Sequence, residues 1–311
     1  MFTVLIIMQI IKERFIMKNI PLTHYFEFDG LDAKYRNIFW HELADNGVEN
    51  VVLSDYMLKT VWDAIDPFSL LKVYKKEVTE KGLRFMDCHS PFGPKIDLNC
   101  PVEELRSNLI GIHKQSIVCC SECEIDTITI HSGNPRYPGV SLQQYREYIC
   151  RSLEELLPFA AKYGVTINIE NIWFPTNTPE ELIYYINYFK SSNLGFCYDA
   201  GHANLMSHPS DNPENPVNVG WNLLNMKPVW DDKVLEKMLP YIVTCHLHDN
   251  DGSRDMHLVP CFGDINWEKI MGLLAKAPNL RCIQNEVILS RSNASVAKMC
   301  KNFDKIMTYF K

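Results

Sequence analysis

The chain is short of basic charge, of glycine-rich loops and of long apolar runs. Its 31 lysines and arginines face 38 aspartates and glutamates, leaving a net charge of −7. That balance argues against a nucleic-acid partner, which needs a concentrated basic face. The opening stretch, MFTVLIIMQIIKERFI, holds an apolar run of about ten residues, too few to cross a bilayer. It also lacks the basic start and small-residue cleavage site of a secretion signal. No membrane partner is therefore expected. Linkers and low-complexity segments are missing too, which leaves one domain. Without a glycine-rich phosphate loop, a phosphorylated substrate has no positive support. Disulfides are not expected either. The eleven cysteines are odd in number and scattered, and Cys119-Cys120-x-x-Cys123 has no second cluster beside it. They read as reduced core thiols of a cytoplasmic protein.

What is present fills a large core: 46% of the 311 residues are apolar. Residues 1–16 read as a non-structural extension from an early start codon, and residues 17–311 as the folded domain. After Met17, short β-branched runs alternate with helical ones. Strands are predicted at 22–28, 48–53, 83–88, 126–130, 165–169, 194–198, 241–245 and 280–285. Helices are predicted at 32–46, 67–81, 102–123, 141–163, 178–192, 231–239, 267–276 and 295–310. Thr178 with Glu181 has the spacing of a capping box. Residues 204–230, with Pro209, Pro213, Pro216 and Pro228, read as an irregular lid. Eight strands alternating with helices specify the α/β class and a single (β/α)8 TIM barrel.

The strand ends carry the chemistry. In chain order they present His89, His131, Glu170, Asp199 with His202, His246, and Glu286. A barrel gathers these ends around one mouth. The seventh is the richest: CHLHDNDGSRDMHLVPCFGDINW, residues 245–267, adds His248, Asp249, Asp251, Asp255 and His257. A lone carboxylate at a strand end can be explained by an ion pair. Carboxylates repeated around one rim repel each other unless a cation sits between them. Imidazole and carboxylate together suit a divalent ion.

Those motifs, IEN at 169–171, YDAGHA at 198–203, HLHDNDG at 246–252, DMH at 255–257 and NEV at 285–287, resemble the xylose-isomerase-like barrel superfamily. It includes sugar isomerases and epimerases, inosose dehydratases and endonuclease IV. The resemblance runs through nearly all of residues 22–310. Similarity to the ketose 3-epimerases implies one divalent metal (Mn, Co, Zn or Mg) on Glu170, Asp199, His246 and Glu286, with His202 near the substrate. Similarity to endonuclease IV implies three zinc ions on His89, His131, Glu170, Asp199, His202, His246, Asp255, His257 and Glu286. Against the nuclease stand the acidic balance and His248 where that enzyme usually has asparagine, while Cys261-Phe262-Gly263-Asp264 replaces the G-E-G turn of many sugar members and departs from their substrate contact. The expected function is a metal-dependent isomerase or epimerase of a keto sugar or polyol derivative. Glu170 and Glu286 are the proton-transfer pair, acting through an enediolate. An inosose-type dehydratase and an abasic-site endonuclease are the alternatives. His89, His131, His202, Asp255 and His257 would bind substrate or additional metal, with Arg254 as partner for an acidic substrate. Trp173, Phe174 and Trp221 are candidates for an apolar wall. Barrels of this class often pair, so a homo-oligomer is expected as a possibility.

Overall fold

The computed structural model describes residues 20–26 and 32–311. The expected boundary after residue 16 lies outside them, as do residues 27 and 28 of the first expected strand. Eight strands form one parallel sheet: β1 Leu22–His24, β2 Asn50–Leu53, β3 Arg84–Cys88, β4 Thr127–Ile130, β5 Thr166–Glu170, β6 Leu194–Asp199, β7 Ile242–Leu247 and β8 Cys282–Asn285. The spatial order is β3-β2-β1-β8-β7-β6-β5-β4. The two ends of that order meet. A parallel bridge pairs His89 with Thr129, and Ser90 N–H donates to the Thr129 carbonyl at 2.9 Å. Lower in the seam, Thr127 Oγ1 donates to Asp87 Oδ1 at 2.8 Å instead of a backbone pair. The result is a nearly closed (β/α)8 barrel, as the alternation requires.

Helices pack outside the strands through apolar faces, giving one continuous core that includes Trp40, Leu43, Ile149, Leu153, Phe196 and Phe303. Ser141 forms a complete capping box with Gln144 ahead of the helix Leu142–Lys162. At Thr178 only half of one forms. Its hydroxyl accepts from Glu181 N–H at 3.4 Å, but the Glu181 carboxylate is taken by Arg146 at 2.7 and 3.0 Å. A two-pronged guanidinium contact is stronger than the return bond to a backbone N–H.

Three expectations need correcting. A helix, Asp55–Asp63, follows β2 directly, started by Ser54 accepting from Met57 N–H. The stretch at 204–230 is not simply irregular: the helix Ala200–Met206 runs into it, and it contains Pro216–Asn222. There proline occupies the first turn, where its missing N–H costs nothing. All eleven cysteines are free, but Cys261 is exposed while the other ten are buried. No helix among the described residues is long and apolar enough to cross a membrane.

Candidate metal centre

Every strand from β3 to β8 delivers a polar side chain to the carboxyl end of the barrel. Glu170 is the last residue of β5 and Asp199 the last of β6, while His246 sits near the end of β7. His89, His131 and Glu286 each follow their strands by one residue. Parallel register fixes the spacing, with Glu170 beside Cys197 and Asp199 beside His246.

His246 is the hub. Its Nδ1 lies 3.3 Å from Glu170 Oε1, 3.4 Å from Glu286 Oε2 and 4.0 Å from Asp199 Oδ2. Despite those neighbours, neither of its ring nitrogens has a hydrogen-bond partner, and the residue is fully buried. Leaving such a group unpaired costs about 1–3 kcal/mol. A shared cation removes the cost. Ligands about 2.1 Å from a tetrahedral ion lie about 3.4 Å apart, which matches the two shorter separations. The four residues Glu170, Asp199, His246 and Glu286 form one compact ligand group, so the donor set fits a divalent ion.

Beside the overlapping trio of His89, His246 and Glu286, two more groups flank it. His89, His131 and Glu170 form one, with His131 Nε2 3.1 Å and His89 Nε2 3.8 Å from Glu170 Oε2. His202, His248, Asp255 and His257 form the other, with His257 Nε2 3.0 Å from Asp255 Oδ2. The backbone orients three of these imidazoles. Nδ1 of His89 meets the Ser90 carbonyl at 2.9 Å, that of His202 meets Asn171 at 2.9 Å, and that of His257 meets Glu286 at 2.8 Å. An N–H spent on a carbonyl leaves the Nε2 lone pair aimed at the site, a pattern that metal-binding histidines share. Asn171 also holds Asp199 in place, donating to its carbonyl at 3.0 Å and accepting from its N–H at 2.8 Å.

The electrostatics call for positive charge. Burial alone would raise the Glu170 carboxyl, but His246, His131 and His202 hold it well below its ordinary range. Glu286 is pushed up by burial and pulled down further by His246, ending low. Burial disfavours the charged form of His257, yet Asp255 and Glu286 raise it to about 9. His202 and His246 are likewise raised well above the usual imidazole value against burial, the first by Asp199 and Asp255, the second by Cys197, Glu286 and Glu170. Protons thus do in the ion-free protein what a cation would do in the loaded one.

Glu170 and Glu286 of the inner group, with members of both flanking groups, line a cavity of about 350 Å3, which Phe92, Trp173, Phe174, Asp97, Asn134 and Arg136 also line. A roomier cavity of about 450 Å3 at the opposite barrel end, beside Asn50 and Arg84, has no such ligand group among the described residues. Trp221 does not line the site cavity. It is buried behind it and donates Nε1–H to the Trp173 carbonyl at 3.0 Å. Arg254 is exposed and outside the cavity lining, and Arg136 is the one lysine or arginine lining it among the described residues. Asp249 belongs to the loop's frame: it accepts from Cys261 N–H at 2.7 Å and Trp267 Nε1 at 2.9 Å. His248 is named in the seventh loop by the sequence but is given no site role there; the structure places it in the second flanking group. The signal was there, because alternate residues of a strand share a face, and His246-Leu247-His248 continues that alternation past β7.

The family model for the Xylose isomerase-like TIM barrel matches residues 40–283, and the chain belongs to that family. An uncharacterized protein of Methanocaldococcus jannaschii is 24% identical over 230 residues, 71% of this chain and 68% of its own length. A probable endonuclease 4 of Aquifex aeolicus is 24% identical over 209 residues, 63% of this chain and 67% of its own. Among solved structures, a D-tagatose 3-epimerase-like protein is similar with a TM-score of 0.69 and 19% identity. That match covers 93% of this chain and 96% of the other. At such identity the structural match speaks for the fold alone.

Proposed function

We propose that this member of the Xylose isomerase-like TIM barrel family is a metal-dependent isomerase or epimerase of a keto sugar or polyol derivative. The observation that carries it is the buried, unpaired Nδ1 of His246 among the carboxylates of Glu170, Asp199 and Glu286. A bound divalent ion would supply Lewis acidity, polarising a carbonyl and steadying the negative charge of an enediolate. The chain supplies the proton handling. Glu286, with 12% of its side chain exposed, borders the cavity and can take a proton from the carbon beside the carbonyl. Glu170, on β5, would return a proton that it carries into the cycle, so that each turnover exchanges the protonation of the two carboxyls. Return to the opposite face of the same carbon inverts it; return to the neighbouring carbon isomerises the sugar; loss of a β-hydroxyl gives dehydration. His202 and His257 would hold hydroxyls, and Trp173 and Phe174 would exclude water. The fold of a D-tagatose 3-epimerase-like protein supports the reading.

The test is solvent exchange. The metal-loaded protein, incubated in D2O with a panel of ketohexoses and keto-glycosides, should place deuterium beside the carbonyl of its substrate. Glu286→Gln should stay folded and lose exchange by about 100-fold or more. Full incorporation by that variant would overturn the role of Glu286.

A second reading has its own support. Two further ligand groups flank the first, and a probable endonuclease 4 is among the relatives. A three-zinc phosphodiesterase on abasic DNA requires three ions per chain and strongly salt-dependent DNA binding. A net charge of −7 and a single lysine or arginine lining the cavity among the described residues weigh against it.

A further inference from the structure

Two loops wall the cavity on the side away from Glu286. In the strand order β3 stands four places from β7, and β4 four places from β8. In an eight-stranded barrel that is the full width of the mouth. The loops after β3 and β4 therefore face, across the cavity, those that carry Asp255, His257 and Glu286. They contribute Asp97, Asn134 and Arg136 to its lining. Asp97 is buried, and its Oδ1 accepts the Gly93 N–H at 2.8 Å. Its second oxygen takes no hydrogen bond among the described residues. Asn134 Oδ1 is buried without a partner. The Arg136 guanidinium makes no ion pair or hydrogen bond among the described residues; only its backbone N–H is spent, on the Asn134 carbonyl at 2.9 Å. This wall is held in place from behind. Asn99 Nδ2 donates to the Asn134 carbonyl at 3.0 Å, and Thr176 Oγ1 to that of Gly133 at 2.7 Å. Gly133 has φ 105°, and a Cβ there would lie 2.7 Å from that of Asp97. Glycine lets the two loops approach so closely.

A carboxylate and an amide oxygen accept hydrogen bonds, and a guanidinium donates them. Two neighbouring hydroxyls both donate and accept, so they fit all three side chains together. A phosphate or carboxylate would gain Arg136 but set a like charge against Asp97, in a cavity that Glu170, Asp255 and Glu286 also line. We propose that Asp97, Asn134 and Arg136 form a specificity-determining subsite for the end of the substrate remote from the reacting carbon. It takes neighbouring hydroxyls of an uncharged sugar and turns away phosphate and carboxylate. Arg136 serves there as a donor to hydroxyl oxygen and not as an anchor for an anion. The inference rests on the sugar chemistry proposed above for what happens at the other end.

The test is equilibrium binding, which needs no turnover. Calorimetry on the Mn2+-loaded protein compares a panel of hexitols with their monophosphates and the matching aldonates. The best hexitol should bind about tenfold or more tightly than its charged forms. Arg136→Ala should weaken that hexitol about fivefold to tenfold, and its monophosphate by no more. Asp97→Asn keeps an oxygen for the Gly93 N–H and should cut the preference against the monophosphate by about threefold or more. A monophosphate or aldonate that binds wild type as tightly as its hexitol overturns the proposal, whether or not the variants fold. So does a panel in which no hexitol binds, or an Arg136→Ala loss confined to the charged ligands. If the preference holds and follows Asp97 and Arg136 while no keto sugar exchanges deuterium, the sugar chemistry falls and the subsite stands.

Discussion

A proton and a divalent ion compete for the same imidazoles, and His257 makes the competition measurable. Its folded-state value of about 9 lies above the ordinary 6.5. A raised imidazole lends stability that is complete below pH 6.5 and disappears as pH climbs through 9. The ion-free protein should therefore melt at progressively lower temperature from pH 6.5 to 9. Ion affinity should rise over the same window, because fewer protons must leave. Thermal melts with and without ion check both; a metal-free melting temperature that is flat across the window contradicts the account. Truncation at the hub should be more drastic. His246→Ala should abolish tight binding at the inner group, read as lost metal content after dialysis. The strand-end residues were legible as a candidate set because acids and imidazoles recur after successive apolar runs, where any one alone has an ion-pair explanation. The sequence pointed to Arg254 and not to Arg136, since which loop arginine turns toward the cavity depends on loop geometry.

At the level of elements, the alternation of strand and helix survived with an added helix, Asp55–Asp63, and two other errors fell where proline or a second partner intervenes. Residues 204–230 looked irregular because proline usually breaks helices, yet at Pro216 it starts one. That helix supports the cavity wall. Gly220 sits so close to Phe174 that an added Cβ would lie 2.8 Å from its ring. Trp221→Phe removes the bond to the Trp173 carbonyl and should cost about 1 kcal/mol, read by urea denaturation. With a substrate identified by deuterium exchange, it should raise KM more than it lowers kcat. An unchanged KM would separate that helix from the site. Thr178 teaches the complementary point: the spacing announced a capping box, but Arg146 from a neighbouring helix claimed the Glu181 carboxylate. Tertiary partners of that kind are not visible in local spacing.

For the whole molecule, the barrel turns distant parts of one chain into a single site. Glu170 and Glu286 stand 116 positions apart and share His246 as a neighbour within 3.4 Å. Their mutual repulsion is tolerable only with a cation or protons between them, so fold and ion are coupled. A chelator should lower the melting temperature, and free ion at about 100 times its Kd should restore about 2.7 kcal/mol of stability. The fold could be read from the sequence because strand and helix periods, with the strand count, leave few architectures. The reaction could not, because epimerisation, isomerisation and dehydration begin with the same proton removal. The central claim is that an ion joins four side chains, and anomalous diffraction from crystals grown with Mn2+ tests it most directly. The account predicts a peak about 2.0–2.3 Å from one oxygen each of Glu170, Asp199 and Glu286 and from His246 Nδ1. A Mn2+-loaded crystal with no peak among those four atoms would contradict it.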